Sequence, residues 1–283
     1  YGWVTDSWKR NDEAANAMAK STEGNRVVIK ALQEIKFGDQ DALNWRPLWN
    51  VLKKKNMLTP EELASGRLNS LDQKNVGSCV GWATTIAGDH TLANQAIKPE
   101  LKQQFKFRID PATTYAIGRQ SANQLGGWDG STGAWSIKGL STVGYLNRMK
   151  YPSFDLSGTT PQHAKAWAAR GVPREYLDAI IFKGKGVRAE TVAEFKAALQ
   201  GKLVGIVCAQ ASYSRVRDSL GFSPRTGRAW AHAMAVIAYR GPESGREGFL
   251  IQNSWTKGRP GTEWNSGPVW PEDQPKGSFW VTP

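Results

Sequence analysis

The chain has 283 residues and a formal net charge of +12, because 37 lysines and arginines outnumber 25 acidic residues. No apolar run approaches the roughly 18 residues that a membrane-spanning helix needs, so we expect no membrane span. The basic residues are scattered, apart from small clusters at residues 53–55 and 183–188, and no zinc-finger, RNA-recognition or helix-turn-helix pattern accompanies them. We therefore expect no specific nucleic-acid partner.

Residues 1–68 are predicted to form a helical N-terminal extension. Polar helices are predicted over residues 9–22 and 26–36, and neither has a full apolar face. A more apolar helix is predicted over residues 45–52, and Thr59 followed by Pro60 indicates another helix start. We interpret the extension as an accessory segment that contacts a larger protein assembly or acts as an inhibitory pro-segment. The first residue is Tyr1 rather than Met, which indicates a processed product or a fragment.

The stretch around Cys79 has the features of a catalytic nucleophile. A polar, glycine-containing loop runs into Cys79, and the apolar residues that follow have helical spacing up to about residue 97. Cys79 is therefore predicted to lie in the first turn of a helix, where the helix dipole and free N–H groups favour the reactive thiolate. The side-chain amide of Gln73 and the backbone N–H of Cys79 would together form an oxyanion hole.

Two later segments supply a base and a residue to orient it. His232 stands at the head of an apolar run of strand length, and Asn253 ends a second such run, followed by Ser254 and Trp255. Cysteine, histidine and asparagine in this order are typical of nucleophile, general base and orienting residue. A lone cysteine in an apolar helix is more often a small core residue, so these two downstream motifs decide in favour of catalysis.

With these motifs the sequence resembles the papain-like cysteine peptidases from about residue 69 to residue 283. The matching residues are Gln73, Gly77, Ser78 and Cys79, then His232, then Asn253, Ser254 and Trp255, with a weaker match at residues 277–281. The resemblance implies an α+β, two-lobed fold, with the nucleophile helix in a helical lobe (about 69–150) and His and Asn in a strand-rich lobe (about 151–283). It also implies hydrolysis of a polypeptide substrate through a thioester on Cys79.

The resemblance further assigns roles to a loop and to one tryptophan. Residues 130–133 (Gly130, Ser131, Thr132 and Gly133) correspond to the loop whose backbone pairs with an extended peptide substrate, and glycine permits that close approach. Trp255 is expected to cover the hydrogen bond between His232 and Asn253, although plain core packing explains this residue equally well.

Departures from the family pattern support other interpretations. Val80 replaces the aromatic residue that commonly follows the nucleophile, and Ala231 precedes the histidine where many relatives carry a polar residue. The chain could therefore be a papain-fold subunit with a structural role in a large assembly such as a virus particle, or a latent peptidase carried in it. Acyl transfer instead of hydrolysis would use the same residues.

The remaining histidines and cysteine are expected to lie outside the chemistry. His90 follows Cys79 by eleven residues on the same helix, about 16 Å away, so it is not the base. His163 is expected to be solvated, and Cys208 lies in an apolar run where a buried, inert thiol is favoured. No CxxC or HxxxH pattern is present, so neither a metal nor another cofactor is expected. With no disulfide framework or signal peptide visible, a cytoplasmic or particle-associated location is favoured over secretion.

Overall fold

The structure is a computed structural model that describes residues 41–97, 105–186, 188–257 and 262–283. The two polar helices predicted within residues 9–36 lie outside the described residues. The helices are α1 (Arg46–Lys54), α2 (Pro60–Ser65), α3 (Cys79–Ala96), α4 (Pro111–Ser121), α5 (Gly133–Thr142), α6 (Pro161–Arg170), α7 (Arg174–Asp178) and α8 (Val192–Gln200). The strands are β1 (Ala42–Leu43), β2 (Gly205–Tyr213), β3 (Arg225–Arg240), β4 (Gly248–Gln252) and β5 (Ser278–Val281).

The five strands form one antiparallel sheet around β3. β1 and β2 pair with β3, β3 pairs with β4, and β4 pairs with β5. In the register, Ala209 lies opposite His232 and Cys208 opposite Ala233, while Val236 lies opposite Ile251. The central strand therefore carries His232, and the chain reaches Asn253 one residue after β4 ends.

α3 joins the helical part to the sheet. It is apolar on most sides and mostly buried, as expected for a helix enclosed by other elements. It packs against β3 on one side and α4 on another. The contact with α4 is close: a Cβ on Gly81 would lie 2.4 Å from the Cβ of Tyr115, so only glycine fits there. α4, with α5 and α6 packed on it, forms the helical part, while α1 and α8 pack against the sheet. This is the two-lobed α+β arrangement that the sequence predicted.

Residues 42–68 pack into the main core. β1 extends the sheet, with Ala42 opposite Tyr239. Trp45, Leu48 and Leu52 of the first helix are buried with Ile86 and other residues of α3 and the sheet. The second helix begins with Thr59 as its N-cap and Glu62 completing a capping box, as the sequence indicated. This part of the predicted extension is thus packed against the sheet.

Several element boundaries differ from the predictions. The helix expected to run from Ala134 to about Arg148 ends at Thr142, because Gly144 takes a positive φ of 120° and approaches the carbonyl oxygen of Phe182 too closely for a side chain. α8 begins at Val192 rather than near residue 189, and α7 was not predicted. β2 and β3 are longer than their apolar runs, because polar residues continue both strands beyond the core.

Among the described residues, no helix is long and apolar enough to cross a membrane.

Candidate active site

Cys79 is the first residue of α3 and is completely buried. Its exposed fraction is 0%, and it packs in an apolar cluster with Val80, Ala83 and Ala233. The backbone of Ala233 hydrogen-bonds the thiol, and the N–H groups of Cys79 and Val80 also favour its ionised form. The nucleophile predicted from sequence therefore lies beside the residue that directly follows His232.

His232 is held by Asn253. The Nε2 atom of His232 lies 2.9 Å from Oδ1 of Asn253, and both residues are buried. The backbone N–H of Ser254 donates to the same Oδ1 at 2.8 Å, which identifies this atom as the acceptor oxygen. Nε2 must then be the protonated nitrogen of the neutral ring, so Nδ1 is the nitrogen that can accept a proton.

Trp255 covers this pair. Its ring is stacked on the imidazole of His232, with centroids 4.2 Å apart and planes at 16°. A stacked indole limits the access of water to the hydrogen bond and restricts rotation of the imidazole. The shielding role that the resemblance implied for Trp255 stays a prediction.

Gln73 links the nucleophile loop to the asparagine loop. Its Nε2 donates to the carbonyl of Val76 at 3.0 Å, and its Oε1 accepts from the hydroxyl of Ser254 at 2.6 Å. Its backbone N–H also donates to the carbonyl of Ser254. A side-chain amide carries two N–H donors, so one remains for a substrate oxygen.

Two further residues hold these loops together, and the sequence analysis missed both. Ser70 donates to the carbonyl of Asn253 at 2.5 Å, and Asp72 accepts from the hydroxyl of Thr256 at 2.7 Å. Neither belongs to a recognisable motif, because each bond joins residues more than 180 positions apart. Only the folded chain shows that the loop before Cys79 is fixed by the loop that carries Asn253.

The electrostatics of the free site favour a neutral pair. Burial raises the pKa of the Cys79 thiol to about 11, against the effect of the nearby backbone N–H groups. Burial also lowers the pKa of His232 to about 4, although the bond to Asn253 acts in the opposite direction. The sequence analysis expected the helix N-terminus to favour the thiolate. In this closed site, loss of solvation outweighs that effect.

The thiol and the imidazole are not hydrogen-bonded to each other in the described part of the chain, where the sulfur instead meets the backbone of Ala233. Proton transfer from Cys79 to Nδ1 of His232 therefore requires that these two atoms first come into hydrogen-bond contact. Apo active sites often have such long or misaligned contacts, which tighten when substrate binds.

The loop at residues 130–133 forms a frame beside the site. Both backbone groups of Gly130 bond the hydroxyl of Tyr115, and Thr132 caps α5 through a bond from the N–H of Trp135. Ser131 is 1% exposed. Pairing of this loop with a substrate backbone stays a prediction, and the exposed backbone immediately before it, at residues 127–129, is the part that solvent reaches.

The two other histidines lie apart from this chemistry, whereas Cys208 packs near Cys79. His90 is buried and bonds Gln252, and His163 is exposed and receives the N–H of Thr160. Cys208 is a partly buried free thiol that packs against the apolar cluster of Cys79, and burial, with a smaller effect of Cys79, raises its pKa to about 12. No group of His, Cys, Asp or Glu side chains suited to a metal ion occurs within the described residues.

Comparisons with known proteins place this geometry in a known fold. The sequence matches no family model and no curated protein. Among solved structures, xylellain, a cysteine protease from Xylella fastidiosa, matches with a TM-score of 0.50 and 18% identity over 76% of both chains. Digestive procathepsin L 3 of Tenebrio molitor matches at 15% identity over 78% of this chain and 68% of its own, with a TM-score of 0.45. Bromelain from Ananas comosus matches at 13% identity over 78% and 87%, with a TM-score of 0.43.

The likeness to xylellain extends over three quarters of both chains and agrees with the helices and antiparallel sheet described above. At 18% identity it concerns the fold alone. The chain therefore has the two-lobed fold of the papain-like cysteine proteases.

Proposed function

We propose that this protein is a cysteine peptidase whose nucleophile is Cys79, whose acid and base is His232, and whose orienting residue is Asn253. The observation that carries the proposal is the buried bond from Nε2 of His232 to Asn253 beneath Trp255, next to the helix N-terminus that bears Cys79. Each of these residues occupies the element that the chemistry requires, and together they form the nucleophile, base and orienter of a cysteine hydrolase.

The reaction follows from these positions. His232 takes the thiol proton on Nδ1, and the sulfur of Cys79 attacks the substrate carbonyl carbon. His232 then gives the proton to the leaving amine as the carbon–nitrogen bond breaks, which leaves a thioester on Cys79. Water attacks the thioester with His232 again acting as base, and the acid product and the free thiol are released. An amine in place of water would give acyl transfer with the same residues.

Two donors are available for the oxyanion of the tetrahedral intermediate. One is the backbone N–H of Cys79, which as the first residue of α3 has no carbonyl partner inside the helix. The other is the second N–H of the Gln73 amide, whose orientation is fixed by Val76 and Ser254. Fixed donors of this kind stabilise the developing charge without reorganisation during the reaction.

A latent form of the same peptidase is the second candidate. The complete burial of Cys79 and the raised pKa of its thiol support it, because an active nucleophile must be reached by substrate and must lose its proton. Activation would then require that substrate or a partner expose the sulfur of Cys79.

Labelling with a peptidyl epoxide followed by peptide mapping tests the proposal. We expect Cys79 to be labelled and Cys208 to remain free, and Cys208→Ser should be labelled like the wild type. Cys79→Ala and His232→Ala should both lose the label. Equal labelling of the two thiols, or labelling of Cys79 that survives His232→Ala, contradicts the assignment. Slow labelling that is accelerated by mild denaturant or by proteolytic trimming supports the latent form.

A further inference from the structure

We propose that Trp230, Trp255, Trp264 and Arg215, here called the aromatic–arginine platform, bind the leaving side of the substrate. The platform is inferred to take an aromatic side chain and a carboxylate within the first two residues after the cleaved bond. This inference rests on the proposed function, since it names the substrate class of that same site. None of Trp230, Trp264 and Arg215 belongs to the catalytic motifs.

The platform is continuous with the catalytic imidazole. Trp255 stacks on His232, and Trp230 meets the ring of Trp255 edge-on, with centroids 5.3 Å apart and planes at 82°. Trp230 precedes His232 by two residues on β3, so both side chains lie on the same face of the strand. Trp230 is nevertheless 40% exposed, whereas His232 is 3% exposed. An apolar ring is thus open to solvent at the border of the site.

Trp264 and Arg215 extend the platform further from Trp255. The ring of Trp264 lies 5.4 Å from that of Trp255, and the guanidinium of Arg215 lies 3.9 Å over the ring of Trp264. Stacking of this kind orients a planar guanidinium while its N–H donors remain available to a carboxylate. Arg215 is exposed, so a ligand can reach it.

The arginines around Arg215 form ion pairs with carboxylates, and Arg215 does not do so within the described residues. Arg217 and Arg67 both pair with Glu263 at 2.9 Å, and Arg246 pairs with Asp218 at 2.7 Å. Within the described part of the chain, no aspartate or glutamate lies within ion-pair distance of Arg215. The neighbouring arginines thus have acidic partners inside the protein, while the charge of Arg215 faces solvent beside a ring.

The proposed reaction brings the leaving part of the substrate next to the aromatic–arginine platform. His232 must deliver its proton to the leaving amine, so the residues after the cleaved bond lie next to the imidazole and pass over Trp255. The first side chains beyond that bond then lie near the exposed ring of Trp230 and the guanidinium of Arg215. Aromatic rings stack edge-on or offset against such a surface, and a carboxylate forms a bidentate pair with a free guanidinium.

A comparison with Trp270 shows why Trp230 is unusual. Trp270 is also 40% exposed, but its ring lies against Trp280 and 4.4 Å from the guanidinium of the buried Arg240. Trp270 therefore has a packing role in the core of the sheet. The ring contact of Trp230 in the described chain is with Trp255, which is the residue that covers the catalytic histidine.

The test measures binding of short peptides to full-length Cys79→Ala protein by isothermal titration calorimetry. The probes represent the leaving fragment, with a free N-terminus and an amidated C-terminus: Phe-Glu-Ala-Ala, Ala-Glu-Ala-Ala and Phe-Gln-Ala-Ala. We expect the Kd to rise about 3- to 10-fold when Phe is replaced by Ala, and about 2- to 5-fold when Glu is replaced by Gln. The second difference should shrink with added salt.

Variants in the same Cys79→Ala background assign the two preferences. Trp230→Ala should abolish the discrimination between Phe and Ala, and Trp230→Phe should keep part of it. Arg215→Gln should abolish the discrimination between Glu and Gln and leave the aromatic preference intact. The matched controls are Trp270→Ala and Arg174→Gln, which change equally exposed or more exposed residues elsewhere and should preserve both preferences. Circular dichroism confirms that each variant is folded.

The inference is overturned if no probe binds, or if Trp230→Ala and Arg215→Gln discriminate as the parent does. Its failure is separable from failure of the proposed function, because these measurements need no turnover. A wild-type protein that cleaves no peptide, with the two preferences present in Cys79→Ala and lost in the variants, would contradict peptidase activity and leave the binding platform standing.

Discussion

His90 and His232 occupy closely similar environments, yet only His232 lies next to the proposed nucleophile. Both are buried, and burial lowers the pKa of each to about 4. Each is hydrogen-bonded through Nε2 to a side-chain amide oxygen, of Gln252 for His90 and of Asn253 for His232. These two amides are consecutive residues at the end of β4.

The difference lies at the second nitrogen of each ring. Nδ1 of His90 is buried without a hydrogen-bond partner among the described residues. His232 is followed directly by Ala233, whose backbone bonds the thiol of Cys79. Burial and an amide partner therefore fix a ring in one tautomer, but they do not make it a base. In the proposed mechanism it is the position beside Cys79 that makes His232 the base, and the following predictions test that distinction.

The largest expected effect is on peptide turnover, and it distinguishes His232 from His90. His232→Ala should reduce peptide turnover by at least roughly 10³-fold, because it removes the group proposed to take the thiol proton. His90→Gln should stay within about threefold of the wild type. The measurement is kcat/KM on a fluorogenic peptide, with Cys79→Ala as the inactive reference. Equal losses in the two histidine variants would remove the functional distinction between them.

The second largest effect is expected when Gln73, the proposed oxyanion donor, is replaced. Gln73→Ala should lower kcat by roughly 10²-fold with little change in KM, because the amide contributes mainly in the transition state. Ser254→Ala, which removes only the hydroxyl that orients this amide, should have a smaller effect. Turnover by Gln73→Ala at the wild-type level would exclude Gln73 from the site.

Asn253 and Gln252 are neighbours that hold His232 and His90 respectively, so replacing each one should affect a different property, activity or stability. Asn253→Ala should lower kcat/KM by roughly 10- to 100-fold, the range seen when a residue that orients a catalytic histidine is lost, and should be milder than His232→Ala. Gln252→Ala should leave kcat/KM nearly unchanged and instead cost about 1–3 kcal/mol of unfolding free energy, since it removes the bonded partner of buried His90. Steady-state kinetics and urea unfolding of both variants decide the comparison.

The smallest effect concerns stability in acid. The folded-state pKa of His90, about 4, lies below its ordinary value of 6.5, so the neutral ring contributes stability above pH 6.5 that is lost as the pH falls towards 4. In His90→Gln, the loss of unfolding free energy between pH 7 and pH 4.5 should be smaller than in the wild type by about 2 kcal/mol. His163→Gln, at an exposed position, is the control. An unchanged slope in His90→Gln would contradict the neutral buried ring.

The sequence predicted the elements whose signals are local. The nucleophile helix, with Cys79 at its first turn, and the helix over residues 161–170 are found as predicted, because their apolar spacing and flanking proline are contained in a few residues. The fold class is confirmed for a related reason, since the helical and strand-rich halves differ in pattern along the whole chain. The catalytic roles of the predicted residues stay predictions.

Features that depend on distant contacts could not be read in this way. The aromatic–arginine platform joins segments near residues 215, 230 and 264, and none of them carries a local motif. The early end of α5 depends on the approach of Phe182 to Gly144. The raised pKa of Cys79 depends on burial by Ala233 and its neighbours, which outweighs the helix N-terminus that the sequence does reveal.

The bonds that fix the nucleophile loop have a consequence for synthesis of the protein. Ser70, Gln73 and Asp72 are anchored to residues 253–256, which are made more than 180 residues later. A ribosome adds roughly 5–20 residues per second, so the growing chain carries Cys79 for many seconds before its partners exist. Contacts between such distant segments also form late in folding. The nascent chain therefore carries Cys79 as an ordinary exposed thiol, without the base and the orienting residue that the proposed reaction needs, until the strand-rich part has been made and has folded.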